Sequence, residues 1–423
     1  MKNSLFCLLL LAALAGCNSA RRAVTSGPSS GGAPTLRPEG PTLVCKSKFL
    51  DNGSSVRVYL SIDPGREVAL SQFSSQFVIN YSLLPELASK TVMQSGGVAL
   101  KPGETLIRQG SWYTVWFDLP KPQGRELYTA VVLADINDQT AARRIQHDLT
   151  LRLQSGKVSD YFGLFDKTGQ VPRLLHYQKT GDTLQLRSLV GQDTTFRVFH
   201  YRYEFDAALS PINTEPRRPT RALYTDSTFT VRANAAFTLP QEGLYYFVRD
   251  TTESFGIGVL SVDDRYPRVA RPDKLTRPLI YMSTNQEYVD LVTARDKEFK
   301  KALDRYWLSM NSGNQQTAKR TIRAYYRRVE QANRLFTTYK EGWKTDRGMV
   351  YIIMGPPNRL QRGKDKEVWV YNRRSSQFSE INFTFNKRAN QFVEDHYELS
   401  RFVEFQPIWY PAVEAWRNGE VDQ

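Results

Sequence analysis

Apolar and polar residues alternate with a period of two over much of the N-terminal half of the chain. Because successive side chains of a strand point to opposite faces, this pattern predicts short strands with one buried face. The alternation is clearest at residues 56–62, 77–83, 113–119 and 149–153, with turn sequences between these segments. Short strands separated by turns are typical of an antiparallel β-sandwich, which we place at residues 42–155.

A second series of short alternating segments follows at residues 156–267, as at Leu184 and Leu186. Tyr245 comes shortly after Pro240, at the entry to an apolar strand. Its hydroxyl group is placed to make the corner hydrogen bond of immunoglobulin-like domains. We therefore predict two tandem immunoglobulin-like β-sandwiches, with one large sandwich as the alternative.

The apolar period changes after residues 268–284, which contain prolines and basic residues and are interpreted as a linker. Thr284 and Glu287 then fit the capping box that begins many helices. Apolar residues three and four positions apart predict two helices. These positions are Tyr288, Leu291, Val292, Phe299, Leu303 and Tyr306 in the first helix, and Ile322, Tyr325, Val329, Ala332 and Phe336 in the second.

The other side of the second predicted helix is basic and carries Arg323, Arg327, Arg328 and Arg334. We expect this face to be solvated. The alternative is that it docks an acidic partner.

The sequence Gly-Trp-Lys-Thr-Asp-Arg-Gly at residues 342–348 is the most constrained part of the chain. Gly342 is predicted to cap the second helix in a left-handed conformation, and Trp343 to fold back on its last turn. The next residues suit a tight turn, in which Asp346 and Gly348 occupy favourable positions.

A continuous apolar run at residues 349–354 predicts a strand covered on both faces. Gly355, Pro356 and Pro357 end it, because proline has no amide hydrogen for a ladder. Further strands are predicted at residues 368–371, 381–385 and 392–399. Two helices followed by a small antiparallel sheet make an α+β domain, which we place at residues 285–423.

The composition fits a multidomain protein of 423 residues with a formal net charge of +14. The positive residues are spread along the chain without an arginine block. No nucleic-acid partner is therefore expected, although weak attraction to anionic lipid or glycan is compatible with the charge.

The first residues predict export and lipid attachment. Lys2 precedes a short apolar run, and Leu14-Ala15-Gly16-Cys17 resembles a bacterial lipobox. We predict a lipoprotein signal peptide at residues 1–17, lipidation of Cys17 and membrane anchoring through that lipid. Residues 18–41 are rich in Ser, Gly and Pro and are predicted to form a flexible tether. Asn18 stands where some bacteria place an inner-membrane retention aspartate, which favours the outer membrane.

Cysteine and histidine usage predicts no metal and no cofactor. Cys7 would be removed with the signal peptide and Cys17 would carry lipid, so Cys45 has no disulfide partner. The four histidines show no ligand spacing.

Several C-terminal residues together form a recognisable set. They are Gly342, Trp343, Thr345, Asp346, Arg347, Gly348, Gly355, Pro356 and Pro357, with Val368-Trp369-Val370-Tyr371 and Trp416-Arg417-Asn418-Gly419 downstream. This set resembles the GWxTD domain family over residues 285–423. The resemblance implies an envelope protein of Bacteroidetes-like or related bacteria and transfers no catalytic residue. Asn358 stands where family members often have aspartate, so a role for that carboxylate does not carry over.

These features favour a non-enzymatic binding or scaffolding lipoprotein in the cell envelope. It would be held at the outer membrane, facing the periplasm, and would contact an envelope protein through its C-terminal domain.

Two other functions stay open. An envelope hydrolase acting on glycan or wall material would draw its acid and base from Asp346 or from Glu394, Asp395 and His396. In a strand, Glu394 and Asp395 would point to opposite faces and make a poor pair. A polyanion-binding protein would use the arginine face of the second helix.

Overall fold

The computed structural model describes residues 43–122, 127–154, 156–215, 222–311, 313–372 and 380–421. The predicted signal peptide, the lipidation of Cys17 and the tether lie outside these residues and stay predictions.

Eight strands form two four-stranded antiparallel sheets in the first part of the chain, with strand orders β1-β2-β6-β5 and β4-β3-β7-β8. The strands are β1 (Val44–Asn52), β2 (Ser55–Asp63), β3 (Phe77–Leu84), β4 (Gln94–Gly97), β5 (Leu106–Gln109), β6 (Trp112–Pro120), β7 (Thr129–Asp138) and β8 (Arg143–Arg152), with helix α1 (Leu70–Gln76) between β2 and β3. The alternating residues of β2, Val56 to Ile62, are buried, as the period of two predicts. Most of the buried apolar side chains of both sheets belong to one core, whereas Leu50, Tyr59 and Ile107 pack with Phe165 and Val171 of the next part of the chain.

A second group of strands forms a five-stranded sheet, β10-β16-β15-β12-β13, and a three-stranded sheet, β14-β11-β9. The elements are α2 (Val158–Tyr161), β9 (Gly163–Asp166), β10 (Tyr177–Lys179), β11 (Thr183–Arg187), β12 (Thr195–Tyr201), β13 (Ser227–Arg232), β14 (Ala236–Thr238), β15 (Gly243–Val248) and β16 (Ile257–Val262). The predicted corner hydrogen bond is present, because the hydroxyl group of Tyr245 lies 3.2 Å from the carbonyl oxygen of Gln241. The main core of these strands is separate from that of the first eight strands, and a smaller buried cluster joins the two groups. The N-terminal half thus contains several β-sheets.

The C-terminal part mixes helices with an antiparallel sheet. Its helices are α3 (Pro272–Leu275), α4 (Asn285–Thr293), α5 (Asp296–Met310), α6 (Gln315–Phe336), α7 (Asp346–Met354) and α8 (Gln406–Arg417), with 3₁₀ helices at Arg277–Tyr281, Gly342–Lys344 and Val403–Phe405. The sheet has the order β17-β18-β19-β20, from strands β17 (Arg359–Gly363), β18 (Lys366–Asn372), β19 (Glu380–Lys387) and β20 (Tyr397–Leu399). The expected mixture of helices and a sheet is confirmed. So is the capping box, since the Thr284 hydroxyl accepts from the Glu287 amide at 3.3 Å.

The first predicted helix is in fact two helices, α4 and α5. Ala294 and Arg295 adopt extended backbone conformations between them. Val292, placed on the buried face by its spacing, is 43 % exposed. The spacing of apolar residues could not reveal this break. Val292 and Phe299 have the spacing of one face of a helix, but they share that face only if the helix is uninterrupted.

The prediction of a fully solvated arginine face on α6 is wrong for two of its four members. Arg328 is buried, and Arg334 pairs at 2.6 Å with the buried carboxylate of Asp63. Arg323 and Arg327 are exposed as expected. Arg328 is buried because it hydrogen-bonds to α7, the helix that begins within the constrained motif.

Candidate functional site

The acidic and apolar part of the motif is a helix, not the predicted turn and strand. Thr345 is its N-cap, and the Thr345 hydroxyl accepts a hydrogen bond from the Gly348 amide at 3.0 Å. All nine residues of α7 are buried. A short apolar run has the same composition whether it forms a covered strand or a helix buried on every side, which explains the wrong prediction.

Gly342 and Gly348 are required by close backbone contact. Helix α6 ends at Phe336, so Gly342 does not cap it and begins a 3₁₀ helix instead. A Cβ atom on Gly342 would lie 2.0 Å from the carbonyl oxygen of Ala332, and one on Gly348 would lie 1.9 Å from that of Gly342. Only glycine lets the backbones of α6, the 3₁₀ helix and α7 approach this closely.

Trp343 joins the motif to two other elements. Its amide donates to the side-chain oxygen of Asn333 on α6 at 3.0 Å, and its carbonyl accepts from the Tyr281 hydroxyl at 2.8 Å. The indole ring is buried and makes an edge contact with the Tyr281 ring. The link between Trp343 and the last turns of α6 is thus made by its backbone amide, and the indole ring that was predicted to fold back on that turn contacts Tyr281.

Asp346 uses both carboxylate oxygens in fixed contacts. One accepts from the backbone amide of Leu399 at 2.7 Å, and the other accepts from the guanidinium group of Arg401 at 2.7 Å. The Asp346 side chain is 2 % exposed. The carboxylate thus ties the first turn of α7 to β20 and the segment after it.

The C-terminal end of α7 is completed by side chains from other helices. Arg328 on α6 donates to the carbonyl oxygens of Ile352 and Ile353, at 3.1 and 3.2 Å. The indole nitrogen of Trp416 on α8 also donates to Ile353. Gly355 then takes a φ of +79°, a conformation that favours glycine, and Pro356 and Pro357 follow. The prediction that these three residues end an element is confirmed, although the element is a helix.

Arg347 is the charged motif side chain that lines a cavity, together with Pro356 and Pro357. Its guanidinium group lies 4.3 Å from the centre of the Tyr397 ring and donates to the carbonyl oxygen of Asp395 at 3.1 Å. The cavity has a volume of about 990 Å³. Its walls come from strands β1 and β8, from β16, from the β17-β18 hairpin and from the segment before β20.

Glu394 and Asp395 both line this cavity, because they precede β20 instead of forming a strand. The expectation that they point to opposite strand faces is therefore wrong. Glu394 pairs with Arg152 at 2.8 Å, and Asp395 lies 3.7 Å from Arg347. Despite burial, neighbouring cations hold the pKa of both carboxyl groups below the usual range. Both groups are thus ionised at neutral pH, which does not suit a general acid.

His396 is the third member of that candidate acid–base group. Its Nε2 atom lies 3.3 Å from a carboxylate oxygen of Glu398. It is absent from the cavity wall, as is Asp346. The four residues of the hydrolase hypothesis are therefore not brought together in one site.

Several polar cavity residues were not singled out from the sequence as site residues, among them Lys46, Lys48, His147 and His176. The two lysines lie on β1, His147 lies on β8 and His176 precedes β10, and no local motif surrounds them. Lys46 and Lys48, two residues apart in an alternating strand, were the only available signal of a shared face.

Two other kinds of feature, a metal-binding cluster and a membrane-spanning helix, are absent from the described ranges. No three or more His, Cys, Asp or Glu side chains there are grouped so that they could hold a metal ion. Among the described helices, none is both long enough and apolar enough to cross a membrane.

Gly348→Ala is expected to destabilise the protein by about 3 kcal/mol, because the new methyl group meets a backbone carbonyl that cannot move aside. The free energy of unfolding in urea measures this loss. Gly97→Ala is the matched control, since the nearest atom to its added Cβ would be 3.5 Å away. Equal stability of the two variants would contradict the close-contact interpretation.

Comparison with known families identifies the C-terminal part. Residues 243–418 match the model of the GWxTD domain. No curated protein sequence matches the chain. The match begins earlier than the 285 suggested by the motif residues, at the start of β15. The structure gives a reason, because the amide of Gly258 in β16 donates to the carbonyl oxygen of Phe392 at 2.8 Å and both strands share a core with Phe392.

Proposed function

Residues 243–418 of this chain form a GWxTD domain, and from this premise we propose that the protein is a lipid-anchored envelope lipoprotein with a binding or scaffolding role. The lipid on Cys17 anchors it, the outer membrane holds it, and it faces the periplasm. Its GWxTD domain contacts an envelope protein partner without catalysing a reaction.

This proposal rests on the structural roles of the motif residues. Asp346 is the motif residue best suited to acid–base chemistry, and its two oxygens are occupied by Leu399 and Arg401. Gly342 and Gly348 allow close contact between backbone segments. The motif thus supports a module whose distinctive residues hold the fold together, in preference to one whose distinctive residues react with a substrate.

The N-terminal sheets fit the role of a spacer between membrane and binding module. We interpret them as two tandem immunoglobulin-like sandwiches, at residues 42–155 and 156–267, of which the second shares β15 and β16 with the region that matches the GWxTD domain. Their separate cores and the Tyr245 corner support this interpretation. Such sandwiches would hold the GWxTD domain away from the membrane surface.

Exposed apolar side chains follow the strand that Asp346 binds. Phe402, Val403 and Tyr410 are each more than half exposed. The amide of Phe402 donates to the carbonyl oxygen of Pro211 at 3.1 Å, next to the exposed Leu209. Several exposed apolar side chains within one short segment favour protein contact over solvation. We propose that this surface, defined by Leu209, Phe402, Val403 and Tyr410, binds the partner.

The anchoring part of the proposal is tested by Cys17→Ala. Cells that express the full chain and receive labelled palmitate should label the wild-type protein and leave the variant unlabelled, because Cys17 is the proposed acylation site. Cys7→Ala is the matched control and should keep the label, since Cys7 lies in the predicted signal peptide. Label on Cys17→Ala, or none on the wild type, would refute lipid anchoring at this residue.

The binding part is tested by photo-crosslinking in living cells. A photoreactive amino acid at position 402 or 410 of the anchored chain should give the same discrete adduct, identified by mass spectrometry. Position 128 is the control, because Tyr128 is 66 % exposed but lies in the N-terminal half. Absence of adducts at 402 and 410, or identical adducts at 128, would rule out a specific partner at this surface.

A further inference from the structure

The walls of the cavity beside Arg347 carry an excess of positive charge. Eleven lysine and arginine residues line it, against five aspartate and glutamate residues. Several of the cations are already paired with carboxylates, such as Arg152 with Asp160 and Glu394. The cations available to a ligand are those that lack a counter-ion.

Among the described cavity cations that are not exposed to solvent, Lys46 and Lys48 form no ion pair with a carboxylate. Each ammonium group donates to a backbone carbonyl, Lys46 to Leu335 at 3.0 Å and Lys48 to Ser159 at 2.8 Å. They lie two residues apart on β1, the outer strand of its sheet, so they share one face. Their Cα atoms are thus roughly 7 Å apart along the strand.

The nearby carboxylates do not fully compensate Lys46 and Lys48 for the loss of contact with water. Burial lowers the pKa of Lys46 to about 8, and it also lowers the pKa of Lys48, even though nearby carboxylates act in the opposite direction. A charged group that is removed from water without a counter-ion is destabilised. An anion in the cavity would supply the missing charge.

Two histidines add neutral hydrogen-bonding groups to the same walls. Burial lowers the pKa of His147 to about 3 and that of His176 to about 4, so both rings are neutral. The Nε2 atom of His147 lies 2.8 Å from the Ser47 hydroxyl, and its Nδ1 atom is buried without a hydrogen-bond partner. When the hydroxyl donates to Nε2, Nδ1 carries the hydrogen and can donate to an oxyanion.

We propose that this cavity binds a small anion with at least two negatively charged groups of the phosphate or carboxylate type. Lys46 and Lys48 pair with the charged groups, and His147 donates a hydrogen bond. The volume of about 990 Å³ leaves room for a larger molecule that bears these groups. The site is separate from the exposed surface of Phe402 and Tyr410, so either proposal can fail without the other.

A competing explanation is structural. A lysine that faces inwards from an outer strand also prevents pairing with another chain. That role predicts no affinity for anions at Lys46 or Lys48 beyond the general attraction of a chain with net charge +14.

The test is calorimetric titration of the detergent-solubilised full chain at low salt with two probes, inorganic pyrophosphate and citrate. We expect at least one probe to bind with a stoichiometry of one, and Lys46→Gln and Lys48→Gln to weaken binding at least tenfold. Lys90→Gln removes the same charge from an exposed position and should bind like the wild type. Binding of pyrophosphate alone identifies a phosphate-type ligand, and binding of citrate alone a carboxylate-type ligand.

Folding is checked in parallel by thermal unfolding, because a variant that does not fold cannot bind. Lys46→Gln is expected to unfold no earlier than the wild type, since it removes a charge that burial destabilises. Lys46→Arg keeps the charge and should retain most of the affinity. No binding of either probe to the wild type, or equal losses in Lys90→Gln and Lys46→Gln, would overturn the proposal.

Discussion

A helix that is buried on every side can exist only if its terminal amide and carbonyl groups find partners inside the protein. The nine residues of α7 meet this requirement through side chains. Thr345 caps the first turn, and Arg328 and Trp416 bind carbonyl oxygens of the last turn. A cation near the C-terminal end also complements the helix dipole. The C-terminal core packs around this helix.

The constrained motif links α7 to both proposed interaction sites. Asp346 binds the Leu399 amide and Arg401, and these residues directly precede the exposed Phe402 and Val403. The next residue, Arg347, lies against Tyr397 on the wall of the cavity. Successive side chains of one helical turn thus position a surface on one side and a cavity wall on the other. This arrangement gives the motif residues a structural role on both sides of the helix.

The periodicity of apolar residues was sufficient to predict much of the fold from the sequence, but it was insufficient to predict the site. Strand β19 has Ile381, Phe383 and Phe385 buried, as alternation predicts, because one face of that sheet is covered. Helix α7 was mistaken for a strand, since an apolar run of six residues has no period to measure. Arg328 was placed in solvent because its true partners, the carbonyl groups of α7, are brought near only by tertiary packing. The cavity could not be predicted for the same reason, because Lys46 and Lys48 are about 300 residues away from Arg347 in the sequence.

The free energy of unfolding of Asp346→Asn tests most directly the claim that the motif acid holds the fold together. The variant keeps the size of the side chain but removes the charge that Arg401 needs, and breaking a buried ion pair in this way costs about 3 kcal/mol. Asp193→Asn, which removes an exposed partner of Arg232, should leave the unfolding midpoint in urea unchanged. The account predicts a clear loss of stability for Asp346→Asn alone. A fully stable Asp346→Asn protein would contradict it and would return Asp346 to the candidates for chemistry.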